Sequence, residues 1–521
     1  MSARSSMSGM RQDTPRLKRI MHRYWCSPVV CLWPNLAGIL WGIFLASSVQ
    51  AASITVDPTK TYQTMGYQLG GVWTGSWEAT GVLGNDLDPA YSSYANAMMD
   101  LAIDEFNINR IRLEVRSSEE NVVSAWQIWR DAGATGNSSQ YCKWRESRYA
   151  TVDDGGGPDQ INWSGFRFNE LDHHIEKVVI PYRTKLVKRG IPLFINLNYV
   201  GFNRQIFSPG GSCPTITPTL DYHHSRDPRE YAEFVLATYL HMQKKYGFVP
   251  DSLEVILEPE NTSTGYPGNP WPAWDLAFTI AAAEAAADKL AAQGFTPRLI
   301  LPSGTSAATV AAWAGPILEH FKSRGKLHYI QEIAYHPYRG RNNANRSRIA
   351  STAARFGVNT SQLEWFSMTD ISDMHDDLKF GNTSAWQLYT FPYYISVDTA
   401  NPGNPVLSIT KIGKFIRQYQ KFIQPGAVRV EAATDDSNYD PLAFRNPSGH
   451  YAVVIRTNGR GKISVNGLPA GNYGIQYTTN DRLGADLSDI DLQASGKLTT
   501  SIPATGVITI YGKGKLVSPS R

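Results

Sequence analysis

Two short stretches place glutamate where its solvent would be stripped away. "EVILEPENTS", residues 254–263, ends an apolar run in Glu258, with Pro259 and Glu260 behind it. Proline removes a ladder donor and biases the preceding residue to extended backbone, so a strand should stop at Glu258. "SQLEWF", residues 361–366, carries Glu364 in the same situation. Carboxylates at the ends of two separate strands can divide acid–base labour, one protonated to release a leaving group and the other ionised to attack. That division suits double displacement at a sugar carbon. Glu258 and Glu260 are two apart, so in a regular strand both point the same way and parity cannot choose between them. Position can. Glu258 closes the apolar run and is expected at a rim, partly desolvated and with a raised pKa. Glu260 lies further into the loop, where solvent should keep it ionised and free to meet sugar hydroxyls.

Such strand ends need a scaffold that aims them at one place. Candidate strands fall at 64–70, 108–114, 191–198, 253–258, 297–303, 329–336, 361–366 and 385–391. Apolar-periodic helices lie between them, among them 228–247 and 272–294, the latter with Pro272 near its start and Gly294 as its stop. Eight strands alternating with helices predict an α/β fold, a parallel (β/α)8 TIM barrel whose C-terminal face builds the site. A doubly wound sheet is disfavoured, because no phosphate-cradling glycine pattern follows the first strand. Beyond residue 425, "HYAVVIRTNG", "KISVNG", "NYGIQYTT" and "GVITIYG" alternate with period two, and Asn-Gly at 458–459 and 466–467 marks hairpins. These predict an appended C-terminal β-sandwich. The expected division is a leader over 1–51, a catalytic barrel over 52–425 and the sandwich over 426–521. The strand at 52–58 is expected to join the sandwich.

Residues 1–51 hold six basic side chains and one acid ahead of a small-residue site at Val49 and Ala51, with a long apolar run between. That is the layout of a secretory signal; a retained membrane anchor is the alternative. Without the leader the formal charge falls from +4 to −1, which leaves no basis for a nucleic-acid surface. Cleavage also leaves only Cys142 and Cys213. They sit in two long inter-element stretches, 117–163 and 199–227, that a barrel would place side by side. A disulfide between them is expected in an exported protein.

"LEPEN", "YHPY" and "LEW", in this order, resemble glycoside hydrolase family 30 of the (β/α)8 retaining clan. The opening "MGYQLGG" and the run "GKFIRQYQKFIQPGAVRV" into the sandwich are similar to that family too, so the resemblance spans about residues 60 to 515. It implies a retaining β-glycosidase with Glu258 as acid/base and Glu364 as nucleophile. It also implies that Arg112 holds the nucleophile ionised, and that His336 and Tyr338 lie beside the nucleophile and the sugar. One position departs. The family's asparagine before the acid/base, which binds the sugar 2-hydroxyl, is here Leu257. A carbohydrate-binding protein of impaired activity on the same fold is therefore the alternative reading.

Trp77, and with less weight Trp73, are candidates to stack on sugar faces. The acidic run "TDISDMHDD", residues 369–377, matches no metal loop and reads as a charged helix start. The sequence thus points to a secreted, monomeric hydrolase of poly- or oligosaccharide. It is expected to need no cofactor or metal and to contact no membrane once the leader is cut.

Overall fold

Strands in the first part of the chain alternate charge and apolar side chain, as in "RIRLEVR", yet every residue of that strand is buried. Both faces are covered, which is the condition of a parallel sheet with helices outside and its own interior within. The computed structural model describes residues 51–66, 91–134, 138–148, 151, 154–201, 223–225, 227–261, 274–365, 370–388, 394–398, 400–401, 403–494 and 496–514. In chain order the strands are β1 (Ala52–Thr64), β2 (Arg110–Arg116), β3 (Phe194–Val200), β4 (Ser252–Glu254), β5 (Leu299–Ser306), β6 (Ile330–Arg339), β7 (Asn359–Gln362) and β8 (Thr383–Trp386). A short hairpin follows, β9 (Ile395–Asp398) and β10 (Val406–Ile409). The C-terminal part adds β11 (Val428–Thr434), β12 (Tyr439–Arg445), β13 (Tyr451–Thr457), β14 (Gly461–Asn466), β15 (Gly471–Thr479), β16 (Ala485–Leu492), β17 (Leu498–Ile502) and β18 (Gly506–Lys513).

Strands β2 to β8 form one curled parallel sheet in sequential order. The candidate strand at 64–70 falls mostly outside the described residues, although the Gly66 amide donates to Ser384 O at 3.1 Å, beside β8. Helices cover the outer face. Pro228–Tyr246 starts on a capping Asp227 and stops at Gly247 with φ 72°. The helix expected over 272–294 runs Leu276–Ala292, because the Asp275 side chain caps it at the Phe278 amide. Outward residues such as Ile111, Leu113, Ile195, Leu197, Ile333 and Trp386 share one large core with these helices. A small inner cluster, Phe194, Ile300, Ala334, Leu363 and Ala385, fills the inside of the curl.

The remaining strands make a second, nine-stranded sheet in the order β16-β15-β18-β13-β12-β11-β1-β14-β17. Strand β1 lies between β11, antiparallel, and β14, parallel, and is longer than the expected 52–58. This sheet has its own apolar core, with Ile54, Val453, Ile463, Ile475, Leu498 and Ile508. Polar contacts fasten it to the helices of the first part. His375 Nε2 lies 3.3 Å from Asp440, which Lys379 also reaches, Arg456 lies 3.4 Å from Asp376, and Gln418 donates to Thr478 at 3.0 Å. The leader lies outside the described residues. Among the described residues no helix is long and apolar enough to cross a membrane.

Candidate active site

The apolar run before Glu258 does not stay a regular strand. Pairing within β4 ends at Glu254, and Glu258 itself has φ 50°. A non-glycine residue in the left-handed region costs about 1–2 kcal/mol and persists only where neighbours hold it. Here the Glu258 amide donates to Ser303 O, and the Asn261 amide donates back to Glu258 O, both at 3.0 Å. Ser303, within the facing strand β5, is left-handed too, with φ 52°.

This kink corrects the expectation of a regular pleat, because it separates the two glutamates. Glu258 turns inward and is 6% exposed. Its Oε1 meets His336 Nδ1 at 2.8 Å, and its Oε2 accepts from Asn261 Nδ2 at 2.7 Å. Glu260 turns to the end of β5, where its Oε1 accepts from the Ser306 amide at 2.9 Å. Gly304 makes room for it, since a Cβ there would stand 2.7 Å from the Glu260 carboxylate. Glu260 is therefore not the solvated loop acid that the sequence suggested, and burial raises its pKa despite the Ser306 amide.

Glu364 follows β7 and faces Glu258 across the interior. Arg112, from the middle of β2, donates Nη1 to Glu364 Oε2 at 2.6 Å, and Tyr338 donates to Oε1 at 3.0 Å. One reacting atom each from Glu258, His336 and Glu364 lie within 4.8 Å of one another. The structure thus brings together Arg112, Glu258, His336, Tyr338 and Glu364, with Glu260 one strand end away. Trp77 and Trp73 lie outside the described residues. Cys142 sits on the helix Ser139–Ser147, and Cys213 is outside the described residues.

Sequence reasoning missed Glu254. It is fully buried, takes Arg112 Nε at 2.9 Å and Nη2 at 2.6 Å, and accepts from Asn196 Nδ2 at 2.9 Å and from Ser303 Oγ. The signal was available, since Glu254 and Glu258 bracket one apolar run. Asn198, with its amide oxygen turned inward, accepts from Arg112 as well, at 3.2 and 3.3 Å.

Electrostatics follow from three carboxylates facing two cations. Burial opposes ionisation of Glu254, but Arg112 outweighs it and holds the carboxyl low. Burial likewise pushes Glu258 up, and the hydrogen bond and charge of His336, helped by Asn261, bring it below the usual carboxylate range. Burial opposes the charged form of His336, but Glu364 and Glu258 together raise its pKa above the usual imidazole value. Glu364 is the surplus acid. Burial raises it, and His336 and Arg112 do not fully compensate because Glu258 repels it. Two expectations are corrected here. Glu258 is lowered rather than raised, because its histidine neighbour was invisible in sequence. Glu364 is raised although Arg112 touches it, because burial and the charge of Glu258 outweigh that contact.

Glu258, His336 and Glu364 offer enough ligand atoms for a metal ion. The donor set fits one poorly. A guanidinium 2.6 Å from Glu364 would repel a divalent cation, and His336 already bridges Glu258 and Ser303. In the acidic run, Asp373 and Asp377 pair with Arg346, Asp376 lies 3.4 Å from Arg456, and Asp370 accepts from the Ser372 amide. Those acids are held by cations and a helix start.

No protein-family profile matches the sequence, and no curated protein matches it. Solved structures do match. The catalytic domain of a GH30 xylanase C from Talaromyces cellulolyticus superposes with a TM-score of 0.59 at 14% identity, covering 89% of this chain and all of the other. A GH30 endoxylanase from Clostridium papyrosolvens gives 0.55 at 16% identity with the same coverage. An endo-β1,6-glucanase gives 0.57 at 13%, covering 90% of this chain and 96% of its own. At these identities the likeness is one of fold: the chain has a fold like that of these GH30 glycoside hydrolases.

Proposed function

We propose that this protein is a retaining β-glycoside hydrolase of poly- or oligosaccharide, exported through its N-terminal leader. The observation that carries this reading is the approach of Glu258 and Glu364, whose nearest reacting atoms lie within 4.8 Å. Retaining glycosidases hold their two carboxyl groups roughly 5–5.5 Å apart, and inverting ones leave room for a water between them. Glu364 attacks the anomeric carbon from its ionised form as the glycosidic bond breaks. Arg112 and Tyr338 orient it. Burial and the repulsion of Glu258 oppose the ionised form, which His336 and Arg112 favour. Glu258 gives its proton to the departing oxygen. Water then loses a proton to Glu258 and displaces Glu364 from the sugar. The 2.8 Å contact between Glu258 and His336 lets the acid's proton rest on the imidazole and return without a change in net charge. The curled sheet is read as part of a (β/α)8 barrel, and the nine-stranded sheet as a sandwich folded over its core. The division falls near residue 425.

Proton NMR of the first product released from an aryl β-glycoside tests the mechanism. Retention of configuration is expected; an inverted first product overturns it. A second reading rests on Leu257, which is buried and offers only its amide, donated to Tyr199 O at 3.0 Å. With no side-chain donor there for a 2-hydroxyl, the protein would bind carbohydrate with little turnover, and absence of hydrolysis over a polysaccharide panel favours that reading. A Cys142–Cys213 bridge is part of the proposal. Thiol titration of the unreduced, denatured mature protein should find no free thiol.

A further inference from the structure

The interior of the parallel sheet holds an unbroken chain of contacts from one candidate catalytic carboxylate to the other. Glu364 takes Arg112 Nη1, and Arg112 gives Nε and Nη2 to Glu254. Glu254 accepts from Ser303 Oγ, Ser303 meets His336 Nε2 at 3.1 Å, and His336 Nδ1 meets Glu258 at 2.8 Å. Arg112, Glu254, Ser303 and His336 all have 0% exposure, so bulk solvent does not reach these partners.

Proton bookkeeping orients the chain. A serine hydroxyl has one proton to donate, and the ionised Glu254 can only accept. Ser303 therefore spends its proton on Glu254, and its oxygen accepts from His336. Nε2 of His336 must then carry a hydrogen in either charge state, which leaves Nδ1 as the nitrogen that gains and loses a proton. That nitrogen is the one facing Glu258.

We infer that Glu254 is a positioning residue for both candidate catalytic glutamates, fixing Arg112 against Glu364 and, through Ser303, the His336 tautomer that exchanges a proton with Glu258. The role rests on the glycosidase reading for its purpose but not for its existence. Without Glu254, Arg112 would concentrate its charge on Glu364. Without Ser303, His336 could turn either nitrogen to Glu258, and the acid would lose its defined proton partner. The groups facing His336 are Glu258, Glu254, Ser303, Glu364, Arg112 and Tyr338, so its titration reports the whole network.

The test reads His336 directly. Side-chain nitrogen NMR of the 15N-histidine-labelled full chain, with the His336 signals assigned by their loss in His336→Phe, is recorded across pH. In the wild type Nε2 should stay protonated throughout while Nδ1 titrates. In Glu254→Gln the His336 midpoint should fall by about one pH unit, since a buried opposite charge at this range shifts a pKa by one or more. In Ser303→Ala, a small change chosen in case Glu254→Gln does not fold, the neutral form should become a mixture of tautomers. An unprotonated Nε2 in the wild type, or an unchanged tautomer in Ser303→Ala, overturns the inference. These spectra need no turnover. A protein that hydrolyses no glycoside yet gives the expected spectra would sink the glycosidase reading and leave the network standing. On an active enzyme, Ser303→Ala should lower kcat for poor leaving groups more than for activated aryl glycosides.

Discussion

The two sheets bury their interiors in opposite chemistries. Inside the nine-stranded sheet Ile54, Val453, Ile455, Ile463, Val465, Ile508 and Ile510 meet one another. Inside the curled parallel sheet the small cluster of Phe194, Ile300, Ala334, Leu363 and Ala385 shares the space with Arg110, Arg112, Asn196, Asn198, Glu254, Glu332 and His336. Both interiors are shielded from water, but only one is arranged for stability alone. Buried ion pairs lose about as much in desolvation as they gain in attraction, and apolar packing of equal volume holds a fold as well or better. The charged interior is thus better explained by chemistry than by stability. It also has a floor and a mouth. Arg110, bonded to Glu332 at 3.1 and 3.2 Å and lying over the Phe194 ring, is the floor; the network from Glu364 to Glu258 is the mouth.

The largest expected effect separates function from fold at the mouth. Glu364→Gln should lower kcat on any β-glycoside turned over by ~10³-fold or more and leave the thermal midpoint nearly unchanged. Loss of folding in step with activity would make Glu364 a structural acid. Arg112→Met should instead damage both. It strands Glu254 and Glu364 as unpaired buried carboxyls, a loss of about 3–5 kcal/mol, measurable by denaturant titration. Ile455→Ala in the other interior leaves a cavity and should cost about 2–5 kcal/mol, with activity per folded molecule intact. A change in KM there would show that the two regions are not independent.

The floor gives a sharper contrast. Replacing Arg110→Met together with Glu332→Leu should be neutral or stabilising, by up to about 4 kcal/mol, and should spare activity. A strong destabilisation would mean that this pair, unlike the mouth, supports the fold. The smallest effect lies on the helix Pro228–Tyr246. Burial, with Asp154 and Glu120 nearby, pushes the Glu233 carboxyl up to about 8. The folded chain then keeps a proton that the unfolded chain releases, so stability falls as pH rises from the usual carboxylate range to about 8. Glu233→Gln should raise the melting temperature at pH 9 and change it little at pH 4.

Much of the architecture was legible because it is local. Period-two alternation marked β13, β14, β15 and β18, and capping Asp227 with Gly247 bounded a helix that the sequence placed within a residue. Strands β11, β12, β16 and β17 were not singled out, since several carry charge along an exposed face. Glu258 and Glu364 were visible because each ends a strand beside a recognisable neighbour. Glu254 was passed over although it opens the apolar run that Glu258 closes, because an acid there looks like a solvent-facing position until the strand is known to be covered on both sides.

The sequence by itself determined the order of strands and helices and the acids at the ends of β4 and β7. Hydrogen-bond periodicity, capping and proline geometry act over a few residues. The tertiary structure decided what those acids are. The kink at Glu258, the turning of Glu260 onto β5, the sharing of Arg112 between Glu254 and Glu364, and the raised proton affinity of His336 all depend on residues more than forty positions apart. A carboxyl's proton affinity is set by what stands within a few ångströms in a dry interior, and only the folded chain brings those neighbours together.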